Sequence, residues 1–241
     1  MQKEYHLSSG AILYALLRLH KPGIYGVDNV LEGMTDETFP AFIQRSEMEL
    51  MEKGCGTLNF DGVFELEEDF AALLGRSADA KTILTAAKRK DQQKSRQVIY
   101  LVEGAAASLT CPEGREPVLT AVEDPAKAVT DFLDLPESAR ELQETVVDSA
   151  LAAEKDEAGL LKAGCTADMA RLVVNAAEGM GGYAVLGCTR ESGQTGELVL
   201  LYGPEGIVSL TAEYTQTEEL FRLTPLTAEE VQNAASALTE Q

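Results

Sequence analysis

Few residues in this chain are of types that carry chemistry alone, and their spacing argues against a reactive centre. Two histidines and four cysteines occur among 241 residues. His6 and His20 sit at the edges of one predicted helix, while Cys55, Cys111, Cys165 and Cys188 lie far apart with no C-x-x-C pair. Imidazole and thiolate together would suit zinc, but a zinc site draws on closely spaced ligand pairs, and none is present. Cys55 and Cys165 each follow glycine in a repeated block, which marks packing positions instead of two nucleophiles. Scattered thiols without a secretion signal fit a reducing cytoplasm, although the spacing also permits two long-range disulfides.

Acid pairs are plentiful, among them Glu67-Glu68-Asp69, Asp156-Glu157 and Glu218-Glu219. A glycosidase-like pair is defined by separation in space, and in so acidic a chain such pairs read as solvated surface. H-E-x-x-H, G-x-S-x-G and a glycine-rich phosphate loop are all missing. Gly179-Met180-Gly181-Gly182 follows a predicted helix, so it reads as a C-cap and turn. Lys88-Arg89-Lys90, with Lys94 and Arg96, is the one basic cluster. It closes a predicted helix, where cations complement the dipole; the alternative is a docking patch for an acidic partner. No catalytic, cofactor-binding or metal residue is assigned, no cofactor is expected, and the partner-binding residues are not identified.

Composition frames these residues. With 45% hydrophobic and 25% charged residues the chain is globular, and it is long enough for one large domain or two smaller ones. Twenty basic residues face 40 acidic ones, a net charge of −20 that repels phosphate backbones and anionic lipid. Residues 1–97 hold 12 basic and 15 acidic residues, net −3; residues 98–241 hold 8 and 25, net −17. The acidic second part would steer toward basic partners and suppress self-association. The apolar run 11–17 is short, is followed at once by Arg18, His20 and Lys21, and lacks a cleavage site, so it is not read as a signal peptide. No apolar stretch approaches the length that spans a bilayer.

The elements follow from periodicity and punctuation. A helix over 9–20, opened by Ser8 or Ser9, places Leu13, Leu16, Leu17 and His20 on one face. A short helix is expected near 27–33, and another from Thr35 to Lys53, with Pro40 near its start and Gly54 at its stop. Asp61-Gly62 between alternating residues predicts a type I′ hairpin over 57–66. Helices near 67–75 and 78–90 come next, then strands over 97–102, 105–110 and 117–122. Asp124-Pro125 opens a helix to 133. A long helix over 138–163 aligns Leu142, Val146, Ala150 and Leu151. Thr166 caps a helix over 167–178, strands cover 183–189, 197–202, 207–212 and 220–223, and Thr227 with Glu230 forms a capping box for the last helix.

Helices followed by a hairpin make residues 1–75 winged-helix-like. The helix that would read DNA carries Asp36, Glu37, Glu47, Glu49 and Glu52 against Arg45 and Lys53, the wrong balance for approaching phosphates.

The two halves also repeat each other. Val98-Ile99-Tyr100-Leu101-Val102-Glu103-Gly104 resembles Leu198-Val199-Leu200-Leu201-Tyr202 with Glu205-Gly206, and Ser108-Leu109-Thr110 resembles Ser209-Leu210-Thr211. Ala126-Lys127-Ala128-Val129 matches Ala228-Glu229-Glu230-Val231, and Leu50-Met51-Glu52-Lys53-Gly54-Cys55 matches Leu160-Leu161-Lys162-Ala163-Gly164-Cys165. Three blocks in one order imply duplication. The predicted fold is α+β: two pseudo-symmetric repeats of helices, antiparallel meander and helix. They divide the chain into an N-terminal half, 1–135, and a C-terminal half, 136–241, or pack as one domain. The strands at 98–102 and 198–202 are apolar on both faces and must be covered on both.

This layout resembles the EspG-like cytosolic chaperone and adaptor family of type VII (ESX) secretion systems. The residues that carry the likeness are Met48-Glu49-Leu50-Met51-Glu52-Lys53-Gly54, then Phe60-Asp61-Gly62-Val63-Phe64-Glu65-Leu66 and Phe70-Ala71-Ala72-Leu73-Leu74, with the strand pair over 97–110 at the family's first sheet. The resemblance implies a non-enzymatic cytoplasmic protein whose partner is a helical secreted protein or complex, kept soluble before export. The other readings are a winged-helix transcriptional regulator, an enzyme whose groups converge only in space, and an assembly subunit or homodimer burying Tyr100 or Tyr202.

Overall fold

A computed structural model of the chain describes residues 3–136, 142–193, 195–215 and 218–240. The fold is α+β. Its elements begin β1 (Glu4–His6), α1 (Ser9–Arg18), α2 (Phe39–Glu52), β2 (Gly56–Leu58), β3 (Phe64–Leu66), α3 (Glu68–Ala78), β4 (Thr82–Lys90), β5 (Gln93–Val102), β6 (Ala105–Pro112), β7 (Val118–Val122) and α4 (Pro125–Leu133). They continue with β8 (Thr145–Asp148), α5 (Ser149–Ala153), α6 (Glu157–Lys162), α7 (Ala167–Glu178), β9 (Gly182–Arg190), β10 (Thr195–Gly203), β11 (Gly206–Tyr214), β12 (Glu219–Leu226) and α8 (Ala228–Glu240). One order therefore occurs twice: a strand, three helices, four consecutive strands and a helix. In the first pass the hairpin β2–β3 stands between the second and third helices; in the second, α6 is followed directly by α7.

The chain forms two compact units, Met1–Ile83 with Gln97–Asp124, and Leu84–Arg96 with Pro125–Gln241. In the first, the strand order is β1-β7-β6-β5. Its core joins α1, α2, α3 and the sheet through Leu7, Ile12, Leu16, Leu50, Phe70, Leu74, Val98, Tyr100 and Leu109. In the second, the order is β4-β9-β10-β11-β12-β8. Met169, Ala170, Leu172, Val173 and Ala176 of α7 pack there with Leu201, Val208 and Leu223.

Local chemistry sets most boundaries as expected. The Ser8 hydroxyl accepts from the Ala11 N–H and opens α1. Thr166 does the same for α7 through Met169, and Gly179 closes that helix at φ 78°. At α8 the Thr227 N–H donates to Glu230 at 2.7 Å while the Glu230 N–H donates to Thr227 Oγ1 at 3.1 Å, a complete capping box.

Six expectations are corrected. Segment 78–90 is not a helix: after Ala78 the chain becomes β4, because Thr82, Ile83 and Thr85 suit a pleated surface and Leu84 and Ala86 alternate inward. Over 138–163 there is no single helix among the described residues; part of that expectation, 138–141, lies outside them. Val146 and Val147 pair with Arg222 and Phe221 in β8, and Asp148 and Asp156 each cap a separate short helix. Residues 27–33 form turns, and the third helix begins at Phe39, after a turn in which the Thr38 N–H donates to the Thr35 carbonyl. On α1, Leu17 and His20 are exposed, while Ala11 through Leu16 are all buried. The β2–β3 loop is not the two-residue type. The Asn59 N–H donates to the Val63 carbonyl and the Gly62 N–H to the Asn59 carbonyl, with Gly62 at φ 75°. That is a three-residue connection with glycine in the left-handed position.

Candidate functional site

The groups suited to reaction chemistry do not meet. Among the described residues no three His, Cys, Asp or Glu side chains are grouped to hold a metal ion. His6 lies at the surface, 3.3 Å from Glu4. All four cysteines are free thiols, and Cys55, Cys165 and Cys188 are buried. Burial pushes the Cys55 thiol up to about 11 and raises Cys165 and Cys188 as well. A thiol held protonated in this way is a poor nucleophile. Cys55 and Cys165 occupy equivalent turns: the Cys55 N–H donates to the Leu50 carbonyl at 2.8 Å and the Cys165 N–H to the Leu160 carbonyl at 3.0 Å.

The basic cluster is engaged inside its own unit. Lys88 donates to the Phe132 carbonyl at the end of α4 and lies 4.6 Å from the Phe132 ring centroid. Lys90 pairs with Asp134 at 2.8 Å, and Arg89 donates to the Ala176 carbonyl near the end of α7 at 3.0 Å. The three residues sit on β4, not at the end of a helix of their own. Lys88 and Arg89 thus donate to carbonyls in the last turns of two other helices, where cations complement the dipole, while Lys90 pairs with a carboxylate. Burial lowers the Lys88 ammonium, and the hydrogen bond from Lys90 holds the Asp134 carboxyl down. All three already have partners within the unit.

Their placement changes the charge picture too. The first unit holds 8 basic and 19 acidic residues, net −11, and the second 12 and 21, net −9. The cluster that relieves residues 1–97 of charge belongs to the second unit, so the unevenness along the chain does not carry over to the units.

The helix that the winged-helix reading would place on DNA is α2, and one face of it packs against its own unit. Ser46 and Leu50 are buried. Glu49 accepts from both the Ser8 N–H (2.6 Å) and the Ser8 hydroxyl (2.7 Å) at the start of α1. The Tyr14 hydroxyl donates to Glu47; burial, then this carboxylate, pushes Tyr14 up to about 12. Tyr100 and Tyr202 are each 1% exposed, so neither is available to a homodimer contact.

The surface presents apolar side chains instead. On the β2–β3 hairpin Phe60 is fully exposed and Leu58 and Val63 are about half exposed; elsewhere Met48, Met180 and Tyr214 stand out. Sequence patterning does not single these out as a site, because exposure of Phe60 depends on the loop type.

No protein-family model matches the sequence, and no curated protein matches it significantly. Among solved structures, the Mycobacterium tuberculosis type VII secretion system chaperone EspG5, determined in complex with the PE25–PPE41 dimer, is similar over 99% of this chain and 96% of its own, at a TM-score of 0.65 and 13% identity. The fold is EspG-like. Within it, the stretches that carry the sequence resemblance are the end of α2, the β2–β3 hairpin and the first half of α3. No helix among the described residues is long and apolar enough to cross a membrane.

Proposed function

We propose that this protein is a non-enzymatic chaperone or adaptor that binds a helical secreted protein in the cytoplasm and holds it soluble for a type VII-like export system. The observation that carries the reading is the EspG-like fold over nearly the whole chain, since EspG5 was solved with the PE25–PPE41 dimer bound. The chemistry is compatible with it: Cys55, Cys165 and Cys188 are buried, and Lys88 and Arg89 donate to helix carbonyls. The net charge of −20 keeps the free chaperone dispersed and favours a partner with basic character. The twofold element order supports a second proposal, that the fold arose by duplication of one strand–helices–meander–helix unit over 1–135 and 136–241. Affinity purification of the tagged protein from its own cells, with mass spectrometry, tests the function. The expected result is a stoichiometric, mostly helical partner; recovery of the protein alone under mild conditions would overturn it.

A further inference from the structure

The hairpin β2–β3 is the one element of the first pass that the second lacks, and the chain closes beneath it. The Glu67 N–H donates to the Cys55 carbonyl at 2.9 Å, so the ends of the insertion meet where Cys165 and Thr166 are adjacent in the second pass. The helix order is thus completed without the hairpin, and its tip serves no core.

The base of this hairpin is held firmly. Phe64 is 3% exposed and packs on Tyr14 at 5.9 Å, and the Arg18 guanidinium donates to the Phe64 carbonyl at 2.6 Å. The tip is also ordered by its own bonds. Asn59 Oδ1 accepts from the Asp61 and Val63 N–H groups at 3.0 Å each, and Asn59 Nδ2 donates to Glu65 at 2.7 Å. On this stiff mount Phe60 is wholly exposed, beside half-exposed Leu58 and Val63. A rigid, exposed aromatic loses little freedom on binding, which is the property of an interface anchor.

The charges on the hairpin select the occupant. Asp61 at the tip and Glu65 on β3 are exposed, as is Glu52 just before the hairpin. The nearby cations are engaged: Lys53 pairs with Glu116 at 3.1 Å, and Arg18 donates to the Phe64 carbonyl at the base. A hairpin with an apolar tip and exposed carboxylates repels a second copy of itself and complements a pocket rimmed with Lys or Arg. We propose that the β2–β3 hairpin is a docking finger that inserts Phe60 into an apolar, basic-rimmed pocket of a partner protein. This stands apart from the chaperone reading and does not depend on it.

The test places a photo-crosslinking amino acid at position 60 of the full-length protein in its own cells, with position 180 as a control, and maps the adduct by mass spectrometry. The expected adduct is specific to position 60, joins a different protein at an apolar site flanked by Lys or Arg, and falls at least about tenfold when Glu52→Lys and Asp61→Lys are combined. Thermal melting of that variant must match the parent's, which separates lost docking from lost fold. An adduct to a second copy, an intramolecular adduct, an adduct equally strong from position 180, or no adduct would overturn the proposal. Retention of the co-purified client by Phe60→Asp together with a position-60 adduct to another protein supports a separate site; retention without any adduct removes the finger and leaves the chaperone reading intact.

Discussion

The turns that end α2 and α6 are built alike, yet the chain leaves them differently. Leu50 and Leu160 are both fully buried, Gly54 and Gly164 take φ 68° and 101°, and the N–H groups of Cys55 and Cys165 donate back to those leucines' carbonyls. After Cys165 the chain goes straight into the Thr166 cap of α7; after Cys55 it makes a hairpin before Glu67 caps α3 by accepting from the Phe70 N–H at 2.9 Å. The shared part is packing and helix-stop chemistry, which the core demands. The unshared part carries the exposed aromatic, and surface additions to a fixed scaffold are where binding tends to reside.

Substitutions can break this comparison, and the largest effect lies within the hairpin. Phe64→Ala removes a buried ring and is expected to cost about 3–5 kcal/mol, whereas Phe60→Ala, at the solvent-exposed tip, should change stability by less than about 0.5 kcal/mol. Urea unfolding of the two variants measures both; a comparable loss for Phe60 would mean that the tip is structural. Next come the matched leucines. Leu50→Ala and Leu160→Ala should each cost about 2–5 kcal/mol, and similar values would sharpen the equivalence of the two turns.

Alkali separates the halves differently. Tyr14 and Tyr202 are both pushed up to about 12, mainly by burial, with Glu47 adding to it at Tyr14 and Asp134 at Tyr202. Each folded-state value lies above the ordinary tyrosine value, so the native state holds the proton longer than the unfolded chain does. Stability from these residues is therefore full below about pH 10 and is lost as pH rises toward 12. Glu47→Gln should lower the Tyr14 value and leave Tyr202 in place, as read by ultraviolet tyrosinate titration. The smallest effect belongs to the two glycines: Gly54→Ala and Gly164→Ala force an L-residue into left-handed backbone at about 1–2 kcal/mol each, measured by the shift in melting temperature.

Legibility in the sequence tracks how local the deciding interaction is. Ser8, Thr166 and Thr227 cap helices within three residues of themselves, and each is readable. Segment 82–90 is not, because its alanines and lysines favour a helix while strand pairing and the alternate burial of Leu84 and Ala86 decide for β4. Val146 fits a helical stripe with Leu142 and Ala150 equally well, and the pairing of Val146 and Val147 with β12 is a contact with residues more than seventy positions away. At the hairpin the Asp61-Gly62 signal locates the turn but misses its length. A two-residue turn would leave Phe60 in the strand, whereas the three-residue connection carries it into the loop and out to solvent. The basic cluster is visible as charge, but its acceptors, the Phe132 and Ala176 carbonyls, are set by tertiary structure alone. The EspG-like layout is readable only in part, since β4, β8 and the short helices α5 and α6 are hidden in expected helices, and similarity to EspG5 over 99% of the chain supports the likeness at the level of fold.

The central claim is that this fold holds a helical protein in soluble form. The most direct measurement co-expresses the co-purified partner with and without this chain, then follows solubility and the mass and helix content of any complex by size-exclusion chromatography and circular dichroism. The predicted result is a partner that aggregates alone and forms a soluble, defined complex, richer in helix than this chain, when the two are made together. A partner equally soluble by itself, or one that elutes apart from this protein, would contradict it.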